Sequence, residues 1–180
     1  MNSLLAVFRF ESRRMLTPGR SAWWLLVAAF PAVITLLMST YLRLNVTSAE
    51  RQHAVMTQQD VDTIYSIALY FLGPAIACML GALLTAAPSV ASELEQHSWI
   101  YFATRPNGLF HLVVGKYLVA VTWSASATTV GILAALPLSQ IEAITEAGLA
   151  LVGLSLISSF CYSALYMMIG TLFPQRAMVF

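Results

Sequence analysis

Residues 63–87 read TIYSIALYFLGPAIACMLGALLTAA, a stretch without Asp, Glu, Lys, Arg or His. A helix of about 20 apolar residues crosses the roughly 30 Å hydrocarbon core of a bilayer, so this stretch is long enough to span it. Three further stretches of the same kind cover residues 21–42, 117–140 and 147–173. The sequence therefore predicts an all-α, polytopic membrane helix bundle with four transmembrane helices.

The composition of the whole chain supports the same fold class. Of the 180 residues, 59% are hydrophobic and 9% are charged. Soluble domains carry about 25% charged residues. A transmembrane β-barrel would show alternating segments of about ten residues rather than continuous apolar blocks. We therefore expect a single transmembrane domain over residues 1–180.

Lys and Arg are distributed unequally between the two sides of the predicted spans. Seven of the nine lie in the N-terminal segment, in the connection 88–116 and after the fourth span, whereas Arg43 and Arg51 lie on the other side. Short cytoplasmic loops are enriched in Lys and Arg. The pattern predicts a multi-pass protein of the cell membrane with both termini and the connection in the cytoplasm.

Residues 1–20 are predicted to form a cytoplasmic helix that lies in the membrane interface. Arg9 and Arg13 are four residues apart and share one side of a helix. The apolar residues near another side are Leu4, Leu5, Phe8, Met15 and Leu16. Such a helix meets anionic headgroups with its Arg side chains, which makes membrane lipid an expected partner. The alternative is a basic segment that only sets topology. Pro18 and Gly19 are expected to end this helix.

Small residues recur every four positions in the predicted spans, which places them on one side of each helix. Small side chains let helices in lipid approach closely, so these positions are expected to form helix contacts. They are Gly73, Ala77 and Gly81 in the second span and Ser155, Ser159 and Ser163 in the fourth. Pro31 and Pro74 are expected to disturb their helices.

The spans contain none of the ionisable side chains that proton-coupled transporters and many ion channels place in the membrane. Gly115-Lys116 resembles the end of a phosphate-binding loop, but a Walker A motif also requires Gly and Ser or Thr where this chain has Phe110 and Tyr117. The histidines are too scattered for a metal site. We therefore expect no catalytic, cofactor-binding or metal-binding residue, no enzymatic activity in this chain and no nucleic-acid partner. Lys116 is expected to extend its ammonium group to the membrane surface.

The connection between the second and third spans carries a helix signal of its own. Ser92-Glu93-Leu94-Glu95 matches a capping box, which predicts a helix that starts at Ser92. Arg105 suits its C-terminal end, and the following Pro106-Asn107-Gly108 predicts a tight turn. The pattern indicates a short cytoplasmic helix of about three turns that joins two spans.

This order of motifs resembles the permease subunits of type-2, exporter-like ATP-binding-cassette transporters. In that family an acidic segment after the second span is followed by an aromatic or Leu stretch, an Arg-Pro turn and a Gly-Lys pair. The matching residues here are Glu93, Glu95, Ser98, Tyr101, Arg105, Pro106, Gly115 and Lys116. The resemblance implies that residues 93–105 form a coupling helix.

A coupling helix docks on a separate nucleotide-binding ATPase subunit, which is the partner that the resemblance implies. The docking residues that it implies are Glu93, Glu95, Ser98, Trp99, Tyr101, Arg105 and Pro106. It also implies a second permease subunit, identical or related, and an unidentified substrate moved at the expense of ATP hydrolysed by the partner.

Relatives of this kind have six spans, so the chain is expected to lack the last two. The alternative function is a membrane scaffold or anchor that recruits a cytoplasmic protein without transport, because the composition fits it equally well. A nucleotide-binding partner would favour the permease, and any other partner would favour the scaffold.

Overall fold

The computed structural model describes residues 3–49, 58–95, 104, 107–139, 141 and 143–173. Every secondary-structure element in these ranges is helical. The elements are α1 (Ser3–Met15), α2 (Pro18–Ala49), α3 (Gln58–Tyr70), a π-helical turn (Phe71–Ala77), α4 (Cys78–Glu95), α5 (Gly108–Ala135), a 3-10 turn (Leu136–Leu138) and α6 (Ile144–Leu172).

Four helical stretches of the described chain are long and apolar enough to cross a membrane. They are Pro18–Leu42, Gln59–Leu94, Gly108–Leu138 and Ile144–Leu172, which we call the first, second, third and fourth spans. The predicted all-α fold with four helices of spanning length and composition is confirmed. Most of these helices run past the apolar stretches in the sequence, because a helix continues wherever its backbone hydrogen bonds are made, whether or not its side chains are apolar.

The third span is the centre of the bundle. It packs against α1 and against each of the other three spans. Contacts along the helices show that the first span runs parallel to it and that the second and fourth spans run antiparallel to it. The third span is therefore in contact with α1 and with all three of the other spans.

Two glycines mark places where helix backbones touch. A Cβ atom on Gly131 of the third span would lie 2.6 Å from the carbonyl oxygen of Ala28 in the first. A Cβ atom on Gly170 of the fourth span would lie 2.6 Å from the carbonyl oxygen of Ala87 in the second. No side chain fits at these distances, so glycine is required for the observed approach.

The small residues predicted for helix contacts are all buried. They are Gly73, Ala77, Gly81, Ser155, Ser159 and Ser163. Cys78 lies among them, with its Sγ atom 3.3 Å from Thr128 Oγ1 and 3.3 Å from Ser159 Oγ. The Ser124 hydroxyl donates to the carbonyl oxygen of Cys78 at 3.0 Å. Short polar side chains therefore join the second, third and fourth spans at the bundle centre.

Pro74 lies in a π-helical turn within the second span. The backbone N–H of Cys78 donates to the carbonyl oxygen of Gly73, five residues earlier. Proline has no N–H and its ring crowds the preceding turn, and the wider π turn lets the helix continue past it. The disturbance expected at Pro74 takes this form.

The prediction that Ser92 begins a new helix is wrong, because α4 continues through both Pro88 and Ser92 to Glu95. The Ser92 hydroxyl donates to the carbonyl oxygen of Ser89 at 3.3 Å, a bond back into the same helix. The close backbone contact of the fourth span with Ala87 supports the helix beside Pro88. Tertiary packing thus overrides a local capping signal. Residues 96–103, in the remainder of the predicted coupling helix, lie outside the described residues.

Candidate functional site

The candidate site lies where α1 meets the end of the second span and the start of the third. We call this end of the bundle the α1 end. Glu93, the first predicted docking residue, lies in the last turn of α4. Glu95 ends the same helix, and its side chain is outside the described part. The other predicted docking residues, Ser98, Trp99, Tyr101, Arg105 and Pro106, also lie outside it.

Helix α1 packs on the third span through Gly115. A Cβ atom on Gly115 would lie 2.7 Å from Val7 Cγ1. Glycine at this position therefore lets α1 approach the third span closely.

Helix α1 ends at Met15, and Pro18 and Gly19 are the first two residues of α2 rather than the end of α1. The first turn of a helix suits Pro18, because a backbone N–H at that position would have no partner within the helix and proline lacks one.

Lys116 forms a buried ion pair with Glu11 of α1. The Lys116 Nζ atom lies 2.8 Å from Glu11 Oε1, and the exposed fractions of the two side chains are 3% and 5%. Lys116 is the only lysine in the sequence. The prediction that the Lys116 side chain extends outward is wrong, because its ammonium group is buried inside the protein. The carboxylate of Glu11 and the close seating of α1 provide a partner inside the protein.

Glu93 joins the same cluster from the second span. Its Oε1 atom lies 3.2 Å from Lys116 Nζ and 3.8 Å from Arg14 Nη1. The C-terminal end of a helix carries a partial negative charge, which disfavours a carboxylate in the last turn. The two cations offset this repulsion and stabilise the ionised Glu93 side chain at that position. We refer to Glu11, Arg14, Glu93 and Lys116 as the charge cluster. Its two carboxylates and two cations are balanced.

The bundle buries a face of α1 that was not predicted from the sequence, and most of the apolar side predicted for the membrane interface is not part of it. Glu11 and Met15 are buried, whereas Leu5 and Leu16 are exposed. The signal available in the sequence is the spacing of four residues from Val7 to Glu11 to Met15, which puts all three on one stripe. A carboxylate on an otherwise apolar stripe requires a buried cation, and Lys116 beside Gly115 supplies it.

The charge cluster joins three helices, because its members come from α1, α4 and α5. A buried ion pair with hydrogen-bonding geometry fixes the relative positions of the elements that carry it, since removal of one partner leaves an uncompensated charge. No group of three His, Cys, Asp or Glu in the described ranges is placed to hold a metal ion. The arrangement is suited to holding helices together at the α1 end.

Comparisons with known proteins identify no relative. No family model matches the chain, and no curated protein sequence or solved structure matches it.

Proposed function

We propose that the chain is a membrane-spanning permease subunit of an ATP-binding-cassette transporter and moves a substrate with energy from a separate nucleotide-binding subunit. The observation that carries this proposal is the charge cluster. It ties together the two span ends that flank the connection and adds α1 to them. A partner that moves the connection thereby moves three helices.

The mechanism requires a mechanical link between the connection and the membrane bundle. Glu93 lies in the last turn of α4, and the helix that carries Lys116 begins at Gly108, so the central part of the connection, residues 96–107, lies between the two helices in the sequence. The Glu93–Lys116 pair therefore bridges the two sides of the connection. Because the third span contacts all three other spans, displacement of its end reaches the whole bundle. Motion imposed by ATP binding in a partner would use this route.

Within the proposal, the main docking contacts lie beyond Glu95. The Glu93 carboxylate is engaged by Lys116 and Arg14, so its first role is inside the subunit. Trp99, Tyr101 and Arg105 belong to the residue types that dominate binding energy at protein interfaces. The proposal places both termini and the connection in the cytoplasm, with a second permease subunit completing the path.

The direct test is affinity purification of the tagged chain from membranes in mild detergent. We expect a stoichiometric nucleotide-binding subunit and ATP turnover in the eluate. Trp99→Ala or Arg105→Glu is expected to reduce the recovered partner by about tenfold or more, since a central interface residue contributes about 2 kcal/mol or more. Arg43→Glu makes the same charge reversal on the predicted opposite side and should leave recovery unchanged.

Three results would count against the permease. Recovery of the chain with a partner that lacks ATPase activity would favour the scaffold. Equal loss of the ATPase with Arg43→Glu would show that the docking positions are wrong. Recovery of the folded chain alone, from membranes that contain the candidate ATPase, would contradict an assembly of the two.

A further inference from the structure

A cavity of about 340 Å³ lies between the first, second and third spans, on the side of the bundle where α2 begins. This volume is in the range of small-molecule sites in proteins. The residues that line it come from all three spans. They include Arg20, Trp23 and Trp24 of the first span, Leu84 of the second, and Trp123 and Ala127 of the third.

The cavity is polar at one end and apolar at the other. Arg20 lies in the first turn of the first span, Thr17 lies just before that span, and Val27 lies seven residues after Arg20 on the same helix. At 1.5 Å per residue this separates the charged end from the apolar end by about 10 Å. Leu84 and Ala127 line the cavity from the neighbouring spans. An amphiphilic ligand matches this gradient.

Arg20 supplies the charge of the cavity. In the described part of the chain its guanidinium makes one polar contact, from Nη1 to Met15 Sδ at 3.3 Å, and no carboxylate lies within ion-pair distance of it. A thioether is a weak acceptor, and a guanidinium has five N–H donors. The remaining donors match the oxygens of a phosphate, which arginine binds in a two-pronged manner.

Tryptophan side chains form the wall of the cavity. The rings of Trp24 and Trp123 meet edge to face with their centres 6.3 Å apart, and the Trp24 indole N–H donates to Ser126 Oγ at 3.1 Å. Trp23 lines the same cavity and is 53% exposed. Tryptophan is enriched at the headgroup level of membranes because its ring is amphipathic. The wall therefore lies at the depth where a lipid presents its phosphate and glycerol.

We propose that this cavity binds an anionic phospholipid, with the lipid phosphate on Arg20 and the glycerol and first acyl carbons against the tryptophans. Charge decides the class of lipid. A quaternary ammonium headgroup is attracted to tryptophan faces, but Arg20 repels it. A net negative headgroup satisfies Arg20 and has no such penalty. The site is separate from the charge cluster and does not depend on the proposed transport function.

Tryptophan fluorescence of the reconstituted full chain tests the proposal. Trp99→Phe serves as the background, so that the three remaining tryptophans all line the cavity. The probes are brominated phosphatidylglycerol and brominated phosphatidylcholine, titrated into unlabelled phosphatidylcholine vesicles. We expect the anionic lipid to reach half-maximal quenching at a mole fraction about tenfold lower than the zwitterionic lipid does. A factor of about ten is the affinity gain expected from one charged hydrogen-bonded contact.

Arg20→Gln should abolish the preference for the anionic lipid, and Arg20→Lys should retain part of it. Arg13→Gln removes one exposed arginine from α1 and should leave the preference intact. The proposal is overturned if both lipids quench equally in the background chain or if Arg13→Gln matches Arg20→Gln. It is also overturned if inorganic phosphate reverses the quenching, because the site would then take the free anion. An unchanged elution profile and thermal transition of each variant establish that it is folded.

Discussion

Replacing Lys116 with Met is expected to destabilise the bundle by about 3–5 kcal/mol, the usual cost of removing one member of a buried ion pair. Met keeps the length and the apolar stem of the side chain and removes the charge. Glu11, with 5% of its side chain exposed, then loses its partner at 2.8 Å. Glu93 loses its contact at 3.2 Å. The free energy of unfolding in mixed micelles of a mild detergent and dodecyl sulfate measures the loss.

The same experiment on a double variant separates charge from packing. Glu11→Leu combined with Lys116→Met removes both members of the pair and should leave a loss of less than about 2 kcal/mol, since an apolar pair often replaces a buried ion pair at little cost. Arg13→Met, at an exposed position of α1, should change stability by less than about 0.5 kcal/mol. A double variant no more stable than Lys116→Met would contradict the pairing.

Gly131→Ala should destabilise the chain by about 1–3 kcal/mol, because it forces a methyl group into a closely packed contact. The new Cβ atom would lie 2.6 Å from the carbonyl oxygen of Ala28 and 3.1 Å from Pro31 Cγ. The carbonyl is backbone, so the first and third spans have to move apart. Trp24 and Trp123 pack across the same pair of helices, and their ring contact should loosen. Equilibrium unfolding in mixed micelles gives the size of the effect.

Gly153→Ala is the matched control for that substitution. Gly153 lies inside α6, is exposed, and has no atom within 4 Å of the position that a Cβ would take. Alanine has the higher helix propensity by up to about 1 kcal/mol, so this variant should be unchanged or slightly more stable. Equal effects of the two substitutions would contradict a backbone contact at Gly131.

The number and class of the spans could be predicted because they depend on local composition. The stretch 63–87 is long and free of charged residues, and these two properties are visible in the sequence without knowledge of any tertiary contact. The spacing of Ser155, Ser159 and Ser163 likewise placed them on one helix face, which the structure buries. Helix periodicity determines which residues share a face but not which helix covers them.

The charge cluster could not be predicted because it depends on contacts between segments about a hundred residues apart. Glu11 and Lys116 each have an ordinary local interpretation, one on a basic amphipathic segment and the other at the edge of a span. Only the seating of Val7 on Gly115 brings them together. The capping signal at Ser92 failed for a related reason, since contacts along α4 stabilise a longer helix than the local sequence indicates.

A disulfide between α1 and the third span most directly tests whether α1 is seated on the third span, which is the contact that brings Glu11 and Lys116 together. The Cβ atom of Val7 lies 3.3 Å from the position of a Cβ on Gly115. Disulfides join Cβ atoms about 3.5–4.5 Å apart, so a small shift is sufficient.

Val7→Cys with Gly115→Cys should form the bond on mild oxidation in membranes, seen as linked peptides by mass spectrometry. Leu5→Cys, from an exposed position of α1, should not form it with Gly115→Cys. Linkage of the Val7 pair alone would establish that α1 rests on the third span. No linkage, or equal linkage of both pairs, would contradict it.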